Sequence, residues 1–298
     1  MAGTIITGAY DMHVHAGPDV LPRKSDCLEF ADIMSKAGMA GFVSKNHYFT
    51  TSPWAKIANS RNPGFKVIGS ITLNNTVGGM NPFAVDIAGR DGAKVVWFPT
   101  IDTLTCINEA ELMPEGKRPY WVSVLLELKA DGMRVSPVNV VDENGKVLPE
   151  VIDVLDVIAK HEMILCTGHI TVKEAFAVIK AAHERHVDRI ICTHCDSPLA
   201  FFEIEQQLEL VNKYGVYMEH CLNGCTTGKV TWEVCLEQIK KIGYDHVLLS
   251  TDLGQVGRQD PNEGLEFFAK WLLENGATEN EVRKTIVDNP KKLLGAGF

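Results

Sequence analysis

The chain has 298 residues and no excess of basic side chains, because 29 Lys and Arg stand against 38 Asp and Glu, a formal charge of -9. This balance argues against a chain-wide electrostatic surface for nucleic acid or for an anionic membrane. The sequence also has no stretch of about 18 apolar residues, the length that a membrane-spanning helix needs. We therefore expect a small-molecule partner, and neither nucleic acid nor a membrane.

Signals for export, nucleotide binding and disulfide formation are also missing. The stretch 1–7 has no basic segment followed by a long apolar run, so we expect a cytoplasmic protein. The glycines at 78–79 and 254–257 lack the lysine and serine of a phosphate-binding loop. The eight cysteines, in a long chain without a signal peptide, are expected to stay reduced.

What the sequence does contain is a regular series of apolar runs rich in β-branched residues. It is 45% hydrophobic and 22% charged, which is typical of a globular protein with a large core. Short apolar runs separated by longer amphipathic stretches are typical of buried parallel strands. Eight such strands are predicted, near residues 9–14, 41–45, 66–71, 94–98, 163–167, 188–193, 215–219 and 246–250.

The segments between these strands carry signals for helices. Thr171 and Glu174 form a capping box, which is followed by apolar residues at helical spacing. In addition, a residue type that favours N-caps precedes proline at Ser52–Pro53, Asn81–Pro82 and Ser197–Pro198. Each of these pairs predicts the start of a helix soon after a strand.

Strand followed by helix, repeated eight times, predicts an α/β fold that closes as a (β/α)8 TIM barrel in a single domain, 1–298. An open doubly wound sheet has the same local pattern and is the alternative. Residues 101–148 break the even spacing with turn-like segments. We interpret them as an insertion between strands 4 and 5 that forms either a lid over the barrel mouth or an oligomer contact. We expect a homo-oligomer, because closed symmetric assemblies are the common state.

The first predicted strand ends in three polar residues, Asp11, His13 and His15. Strand alternation places them on one face, with Met12 and Val14 on the other. Three polar groups that face a barrel interior are costly unless something binds them. Two imidazoles at this spacing can reach one metal ion, with Asp11 as a further ligand or as a partner of a ligand. A hydrogen-bonded polar cluster is the alternative.

Three further strands end in groups that can bind a metal. The fifth and sixth predicted strands end in His169 and His194, and the eighth ends in Asp252. In barrels, functional residues lie at the carboxyl ends of several strands. These residues therefore share one end of the barrel with His13 and His15, which predicts a metal site at its mouth.

With these residues the sequence resembles the amidohydrolase superfamily, whose members carry His-x-His on strand 1, single histidines on strands 5 and 6, and an aspartate on strand 8. The resemblance extends from His13 to the terminal stretch Asn289–Gly295. It implies a metal-dependent hydrolase, with Asp252 as both a ligand and the general base toward a nucleophilic water. The metal ligands that it implies are His13, His15, His169 and His194.

Strand 4 departs from the pattern of this superfamily. Many two-metal members carry there a lysine, carboxylated so that it bridges the ions, or a glutamate, whereas Val95–Thr100 has neither. Lys45, on strand 2, is a candidate for this bridge, and alternation places it on the face of Val43 and His47. Three other roles are possible for Lys45: it binds a substrate anion, forms a Schiff base with a substrate, or makes a structural ion pair. His47 is a candidate substrate contact.

Other candidates for contact with the substrate lie on strand 7 and in loops. Glu219 and His220 are adjacent on a strand, so one of them points inward, but alternation cannot identify which one without the strand register. We place His220 among the substrate contacts. Arg258, in the loop after the last strand, suits a carboxylate or a phosphate. Gln255 and Arg134 are weaker candidates of the same kind.

Cys192-Thr-His-Cys195 is formally a C-x-x-C motif, and Cys221 and Cys225 follow it. A redox pair should open a helix, whereas Cys192 lies within an apolar strand. Packing is therefore the expected role of these thiols, and a zinc-thiolate site is the alternative.

The sequence as a whole predicts a metal-dependent hydrolase that cleaves a C–N or C–O bond of a small amide, cyclic amide, lactone or ester with one or two divalent ions. Zinc is the expected metal, with manganese or iron as alternatives. The competing functions are a phosphoesterase or a decarboxylase on the same metal site, a Schiff-base lyase that uses Lys45, and a non-catalytic metal-binding protein.

Overall fold

The structure is a computed structural model that describes residues 4–298. Its strands are β1 (Tyr10–Val14), β2 (Gly41–Ser44), β3 (Lys66–Ile68), β4 (Ser70–Thr72), β5 (Val95–Trp97), β6 (Ile164–Cys166), β7 (Ile190–Cys192), β8 (Tyr217–Cys221) and β9 (Val247–Ser250). β3 and β4 are two parts of one crossing that is interrupted at Gly69. A Cβ atom at Gly69 would lie 2.7 Å from Cα of Ser52, so this close approach requires glycine.

The strands form a closed ring of eight crossings. Neighbours pair in parallel and in chain order, from β1 to β3 and from β4 to β9. The end of the last strand pairs with the first, since His15 N donates to Leu253 O (2.7 Å) and Asp252 N donates to His13 O (2.9 Å). The predicted (β/α)8 barrel is therefore confirmed, and the open sheet is excluded.

Helices follow the strands and surround the ring. They are α1 (Cys27–Lys36), α2 (Ser52–Arg61), α3 (Pro82–Arg90), α4 (Leu104–Leu112), α5 (Tyr120–Ala130), α6 (Pro149–Lys160), α7 (Val172–Glu184), α8 (Ile204–Tyr214), α9 (Leu222–Thr226), α10 (Trp232–Ile242), α11 (Pro261–Glu274), α12 (Glu279–Arg283) and α13 (Asn289–Leu294). Among residues 4–298, no helix combines the length and the apolar character needed to cross a bilayer.

The helix starts follow the cap chemistry of the sequence at most positions. Thr171 forms the predicted capping box of α7, and the Asn81 side chain caps α3. The prediction for α2 is wrong by one residue, because Thr51 is the N-cap. Ser52 is the first helical residue, and its hydroxyl donates to Asp91 at 2.7 Å.

Apolar side chains from all eight crossings fill the barrel interior. They are Tyr10, Met12, Val43, Ile68, Val95, Trp97, Ile164, Cys166, Ile191, Tyr217 and Leu248. Leu293 and Leu294 of α13 pack against this cluster. Toward the carboxyl ends of the strands the buried side chains become polar, and among them are His13, Lys45 and His194. The fold thus separates an apolar interior from a polar mouth.

The stretch 101–148 contains α4 and α5, which share a small apolar cluster of their own. Trp121 and Val124 of α5 pack against Leu21, Tyr48 and Ile101, which lie in the loops after β1, β2 and β5. These helices therefore lie beside the barrel mouth. The interpretation of 101–148 as an insertion stays a prediction.

Candidate metal centre

The end of β1 does not alternate as the sequence pattern predicts. The pairing of β1 with β2 shifts register between Asp11 and Val14. As a result Met12 packs in the barrel interior, although we expected it on the face opposite His13. The His13 ring also faces inward, 4.6 Å from the Trp97 ring between centroids. The irregularity adds a residue to the inward face, so Met12 and His13 both contribute to it.

Asp11 links β1 to the end of β9 through hydrogen bonds. Its carboxylate accepts hydrogen bonds from the Thr251 backbone N–H (3.1 Å) and hydroxyl (2.5 Å), and from the His13 backbone N–H (3.1 Å). Burial raises the pKa of Asp11 to about 7. This residue therefore holds the two strand ends that carry His13 and Asp252.

His13, His15 and Asp252 converge on one point. The Asp252 Oδ1 atom lies 3.3 Å from His13 Nε2 and 3.1 Å from His15 Nε2. One donor atom from each of the three residues lies within 4.8 Å of the others. The Asp252 side chain is 21% exposed and its second oxygen accepts a hydrogen bond from Asn223 (3.1 Å).

His169 and His194 contribute two further histidines to the mouth. Their ring centroids lie 4.9 Å apart, and the His194 ring lies 6.1 Å from that of His13. The buried Nδ1 atom of His194 has no hydrogen-bond partner among the described residues. An unpaired buried nitrogen is costly, and a metal ion would satisfy it.

Lys45 and His47 lie on the inward face of β2 and its extension, as alternation predicts. Lys45 Nζ is 3.0 Å from His13 Nε2 and 4.3 Å above the centre of the Trp97 ring. Burial lowers the pKa of Lys45. The His47 ring lies 5.0 Å from the His15 ring, and its Nδ1 atom is 2.8 Å from the Thr100 hydroxyl.

Glu219, and not His220, is the inward residue of β8. Its Oε2 atom lies 3.2 Å from His13 Nδ1 and accepts from the His194 backbone N–H at 3.2 Å. A carboxylate on Nδ1 leaves Nε2 of His13 free for a ligand. We refer to the residues described so far at the barrel mouth as the mouth cluster: His13, His15, Lys45, His47, His169, His194, Glu219 and Asp252.

The other predicted substrate contacts are not brought into the mouth cluster. His220 lies on the opposite face of β8, where its Nδ1 atom is 2.7 Å from an Asp196 carboxylate oxygen. Arg258 is exposed, and its carbonyl accepts a hydrogen bond from Lys24 (2.9 Å). Arg134 is exposed as well, whereas Gln255 donates to the Asp252 carbonyl at 2.9 Å.

Burial governs the protonation of four of the mouth histidines. It lowers the pKa of His194 to about 4, and it lowers the pKa of His15, His47 and His169 well below the usual value. These rings are therefore neutral at neutral pH, which is the form that binds a metal.

The two carboxylates of the mouth cluster are held ionised. Burial raises the pKa of each, but the neighbouring groups outweigh it. For Asp252 these groups are His13, His15 and Lys45, and its pKa lies well below the usual range. For Glu219 the main one is His13, and its pKa is lowered.

Backbone strain accompanies two of these residues. Asp252 has a φ of 53° and His194 a φ of 30°, both in the left-handed region. A non-glycine residue there costs roughly 1–3 kcal/mol, and such strain clusters at functional sites. The strand ends therefore hold these two side chains in positions that an unstrained backbone would not give.

Arg23 and Cys106 contact the mouth cluster and were missed in the sequence. Arg23 Nη2 lies 3.3 Å from His15 Nδ1, and the guanidinium is paired with Asp19 at 2.6 Å. Cys106, on α4, places its Sγ atom 3.2 Å from His169 Nδ1. Residues 19–23 form an irregular loop, so nothing local in the sequence linked Arg23 to Asp19, or Arg23 and Cys106 to a histidine.

The sequence comparisons identify the family of the chain. A family model described as "Family of unknown function (DUF6282)" matches residues 8–219. The chain belongs to this family. The matched stretch includes every residue of the mouth cluster except Asp252, which lies beyond it. A search of curated protein sequences finds no match.

The structural comparisons give the fold. An amidohydrolase from Pseudomonas aeruginosa superimposes with a TM-score of 0.63 at 10% identity, over 97% of this chain and 96% of the other. A β-aspartyl dipeptidase from Fervidobacterium islandicum AW-1 gives 0.59 at 17% identity, over 97% and 72%. An organophosphorus hydrolase mutant from Deinococcus radiodurans gives 0.58 at 13% identity, over 99% and 97%. The resemblance to the amidohydrolase superfamily is confirmed at the level of the fold.

Proposed function

We propose that the protein is a metal-dependent hydrolase that uses metal-activated water to cleave a C–N or C–O bond of a small molecule, such as an amide, cyclic amide, lactone or ester. The observation that carries this proposal is the convergence of His13, His15 and Asp252, with His169 and His194 beside them, at the mouth of an amidohydrolase-like barrel.

The donor set fits a divalent ion. With metal–ligand distances of about 2.0–2.2 Å, a nitrogen and an oxygen on one tetrahedral ion lie about 3.4 Å apart. The distances from Asp252 Oδ1 to the two Nε2 atoms of His13 and His15 are 3.3 and 3.1 Å. Imidazole-rich ligation suits zinc, with manganese or iron as alternatives. We infer one or two ions.

An ion bound here would lower the pKa of a coordinated water toward about 7 and polarise the scissile bond. The Asp252 carboxylate is ionised and reachable from the mouth, so it is placed to take a proton from the attacking water and pass it to the leaving group. Glu219 holds the His13 ring so that Nε2 faces Asp252 and Lys45. His47 and Arg23 lie against His15, where they are placed to contact the substrate.

Lys45 fits this mechanism best as a carbamate. Its Nζ atom lies 3.0 Å from His13 Nε2, the atom that would bind an ion held by His13, His15 and Asp252. A charged ammonium at this distance would repel a divalent cation. Carboxylation would replace that positive charge with an anionic ligand that can bridge two ions. Trp97, on β5, which is the fourth crossing of the barrel, lies beneath the Lys45 side chain and is in contact with it.

The test is turnover of a panel of amides, lactones and esters by zinc-loaded protein, with Asp252→Asn beside it. We expect hydrolysis of one class and a large loss of kcat in the variant, with zinc content reported for both. No hydrolysis of any member by the loaded protein, or full activity of Asp252→Asn, would count against the proposal.

A Schiff-base lyase is the second candidate, because Lys45 is buried in the site with a lowered pKa. Borohydride treatment in the presence of a carbonyl substrate separates the two. A covalent adduct on Lys45 supports the lyase, whereas metal-dependent hydrolysis without an adduct supports the hydrolase.

We also propose that the protein works as a cytoplasmic homo-oligomer. All eight cysteines are free and buried, which is typical of a reducing compartment. Closed symmetric assemblies of identical chains are the common state of soluble oligomers, which supports the oligomer.

A further inference from the structure

A second cluster of metal-binding side chains lies behind the barrel wall, on the side of β8 opposite the mouth. We name it the rear cluster and define it as Asp196, His220, Cys225 and Cys235. Its members come from four places: the loop after β7, β8 itself, α9 and α10. All four side chains are buried. None of them belongs to the mouth cluster or takes part in the proposed hydrolysis.

The donor atoms of the rear cluster are already close together. His220 Nδ1 lies 2.7 Å from Asp196 Oδ2 and 3.8 Å from Cys235 Sγ. One donor atom from each of these three residues lies within 4.8 Å of the other two. A hydrogen bond with the Cys225 thiol is the main cause that raises the pKa of Cys235, so a second buried sulfur accompanies the group.

These distances can be compared with those of a tetrahedral zinc site. With Zn–S of about 2.3 Å and Zn–N of about 2.0–2.1 Å, the sulfur and nitrogen ligands lie about 3.6 Å apart. The observed separation of Cys235 Sγ and His220 Nδ1, 3.8 Å, is close to this value. The 2.7 Å separation of Asp196 and His220 is shorter than the roughly 3.4 Å between two zinc ligands, so the carboxylate must move outward by about 0.7 Å when an ion enters.

Nδ1 of His220 lies 2.7 Å from the Asp196 carboxylate, so Nδ1 binds an ion only when the ring carries its proton on Nε2 instead. Its other ring nitrogen, Nε2, lies 3.7 Å from Cys195 Sγ, which is a weak hydrogen-bond acceptor. A proton on Nε2 leaves the lone pair of Nδ1 free for the metal. An acceptor on the far nitrogen of a ligating histidine is the usual arrangement in metal sites.

We propose that the rear cluster binds one structural zinc ion through Asp196, His220, Cys225 and Cys235. A closed site of two thiolates, an imidazole and a carboxylate leaves no position for a substrate, which distinguishes a structural from a catalytic ion. The ion would link the loop after β7 to α9 and α10. Asn223 on α9 hydrogen-bonds Asp252, so the rear ion would also stabilise a segment that supports the mouth. The proposal does not depend on the hydrolase function.

Cobalt is the probe, because thiolate ligands give cobalt(II) a charge-transfer absorption that imidazole and carboxylate ligands lack. We expect the cobalt-loaded full chain to show this absorption. It should persist in His13→Ala/His15→Ala, which removes mouth ligands, and disappear in Cys235→Ser. Bound cobalt should fall by about one equivalent in Cys235→Ser.

Cys27→Ser is the matched control. Cys27 is also buried, and its Sγ atom lies 3.3 Å from the Ser44 hydroxyl, but it lies on α1, outside the rear cluster. This variant should keep both the absorption and the bound metal. If it loses them as Cys235→Ser does, the effect of Cys235→Ser is a general one of buried thiol loss, and the proposal is overturned.

Three results would overturn the proposal directly: no thiolate absorption in the wild-type protein, absorption that survives Cys235→Ser, or absorption that is lost in His13→Ala/His15→Ala. The last result would assign the sulfur to Cys221, which lies 3.7 Å from His13 Nδ1. If Cys235→Ser does not fold, zinc X-ray absorption of His13→Ala/His15→Ala decides, since sulfur in the zinc shell supports the rear site and its absence rejects it. Substrate turnover plays no part, so failure of the hydrolase proposal is separable.

Discussion

The mouth cluster and the rear cluster lie on opposite sides of the same strand and differ in what can reach them. Glu219 and His220 are adjacent in the chain, yet the first contacts His13 in the mouth and the second contacts Asp196 behind the wall. The mouth offers a partly exposed carboxylate, Asp252, whereas the rear cluster is closed on all sides. Similar ligand types therefore suit a catalytic ion at the mouth, which water and substrate can reach, and a structural ion in the rear cluster, which they cannot.

Asp252→Asn should have the largest effect on catalysis, and this effect should be specific to the mouth cluster. Loss of the general base should lower kcat by about 10²- to 10⁴-fold, because proton transfer to a positioned group contributes that much. Steady-state kinetics on the zinc-loaded variant measures it. Asp245→Asn, at an exposed ion pair with Lys284, is the control and should keep wild-type kinetics. Equal losses in both variants would show that the effect is not specific to the mouth.

The pH dependence of stability should report on the mouth histidines in metal-free protein. The folded pKa values of His15, His47, His169 and His194 are below the unfolded value of about 6.5, so the unfolded state takes up protons first as the pH falls. Stability is then complete above about 6.5 and is lost as the pH falls toward 4. For His194, with a pKa of about 4, the loss is roughly 3 kcal/mol. Urea unfolding at several pH values measures it, and His194→Asn should weaken the dependence. A free energy of unfolding that stays flat between pH 6.5 and 4 would contradict this account.

Glu219→Gln tests how far metal affinity at the mouth depends on the contact between Glu219 and His13. The amide keeps the shape but loses the charge that holds His13, and such partners are worth about 10- to 100-fold in metal affinity. Competition with a zinc chelator measures the change. Glu237→Gln, on the exposed face of α10, should leave affinity unaltered. Unchanged affinity in Glu219→Gln would show that the contact with His13 does not matter for the ion.

Cys106→Ala should have the smallest effect. Its thiol contacts His169 Nδ1 but carries no charge, because burial raises its pKa to about 12. We expect about a 10-fold loss of mouth metal affinity, at the low end for a partner of a ligating histidine, and no loss of cobalt–thiolate absorption from the rear cluster. If that absorption disappears, Cys106 supplies the sulfur and the two clusters are assigned wrongly.

The sequence predicted the barrel and most of the mouth because both depend on local signals. His169, His194 and Asp252 each end an apolar run, and a parallel barrel brings such ends together whatever the loops contain. Lys45 and His47 follow the alternation of β2 without irregularity. The positions of these residues could be predicted from the number of strands and from the alternation of side chains along each strand.

The remaining features depend on contacts between distant segments. The register shift at Met12 has no local sequence signal, and the choice between Glu219 and His220 required the register of β8 against its neighbours. Arg23 and Cys106 reach the mouth from a loop and from α4, where the sequence has no period to follow. The rear cluster joins residues 196 to 235 from four elements, so the spacing of its thiols alone indicated packing.

Metal content per chain is the measurement that tests the central claim most directly. Elemental analysis of protein purified without chelators should find about one or two more equivalents of zinc, manganese or iron in the wild-type protein than in His13→Ala/His15→Ala. That difference would place the ions at the mouth. Equal metal content in the two proteins, or none in the wild-type protein after supplementation with each metal, would contradict the account.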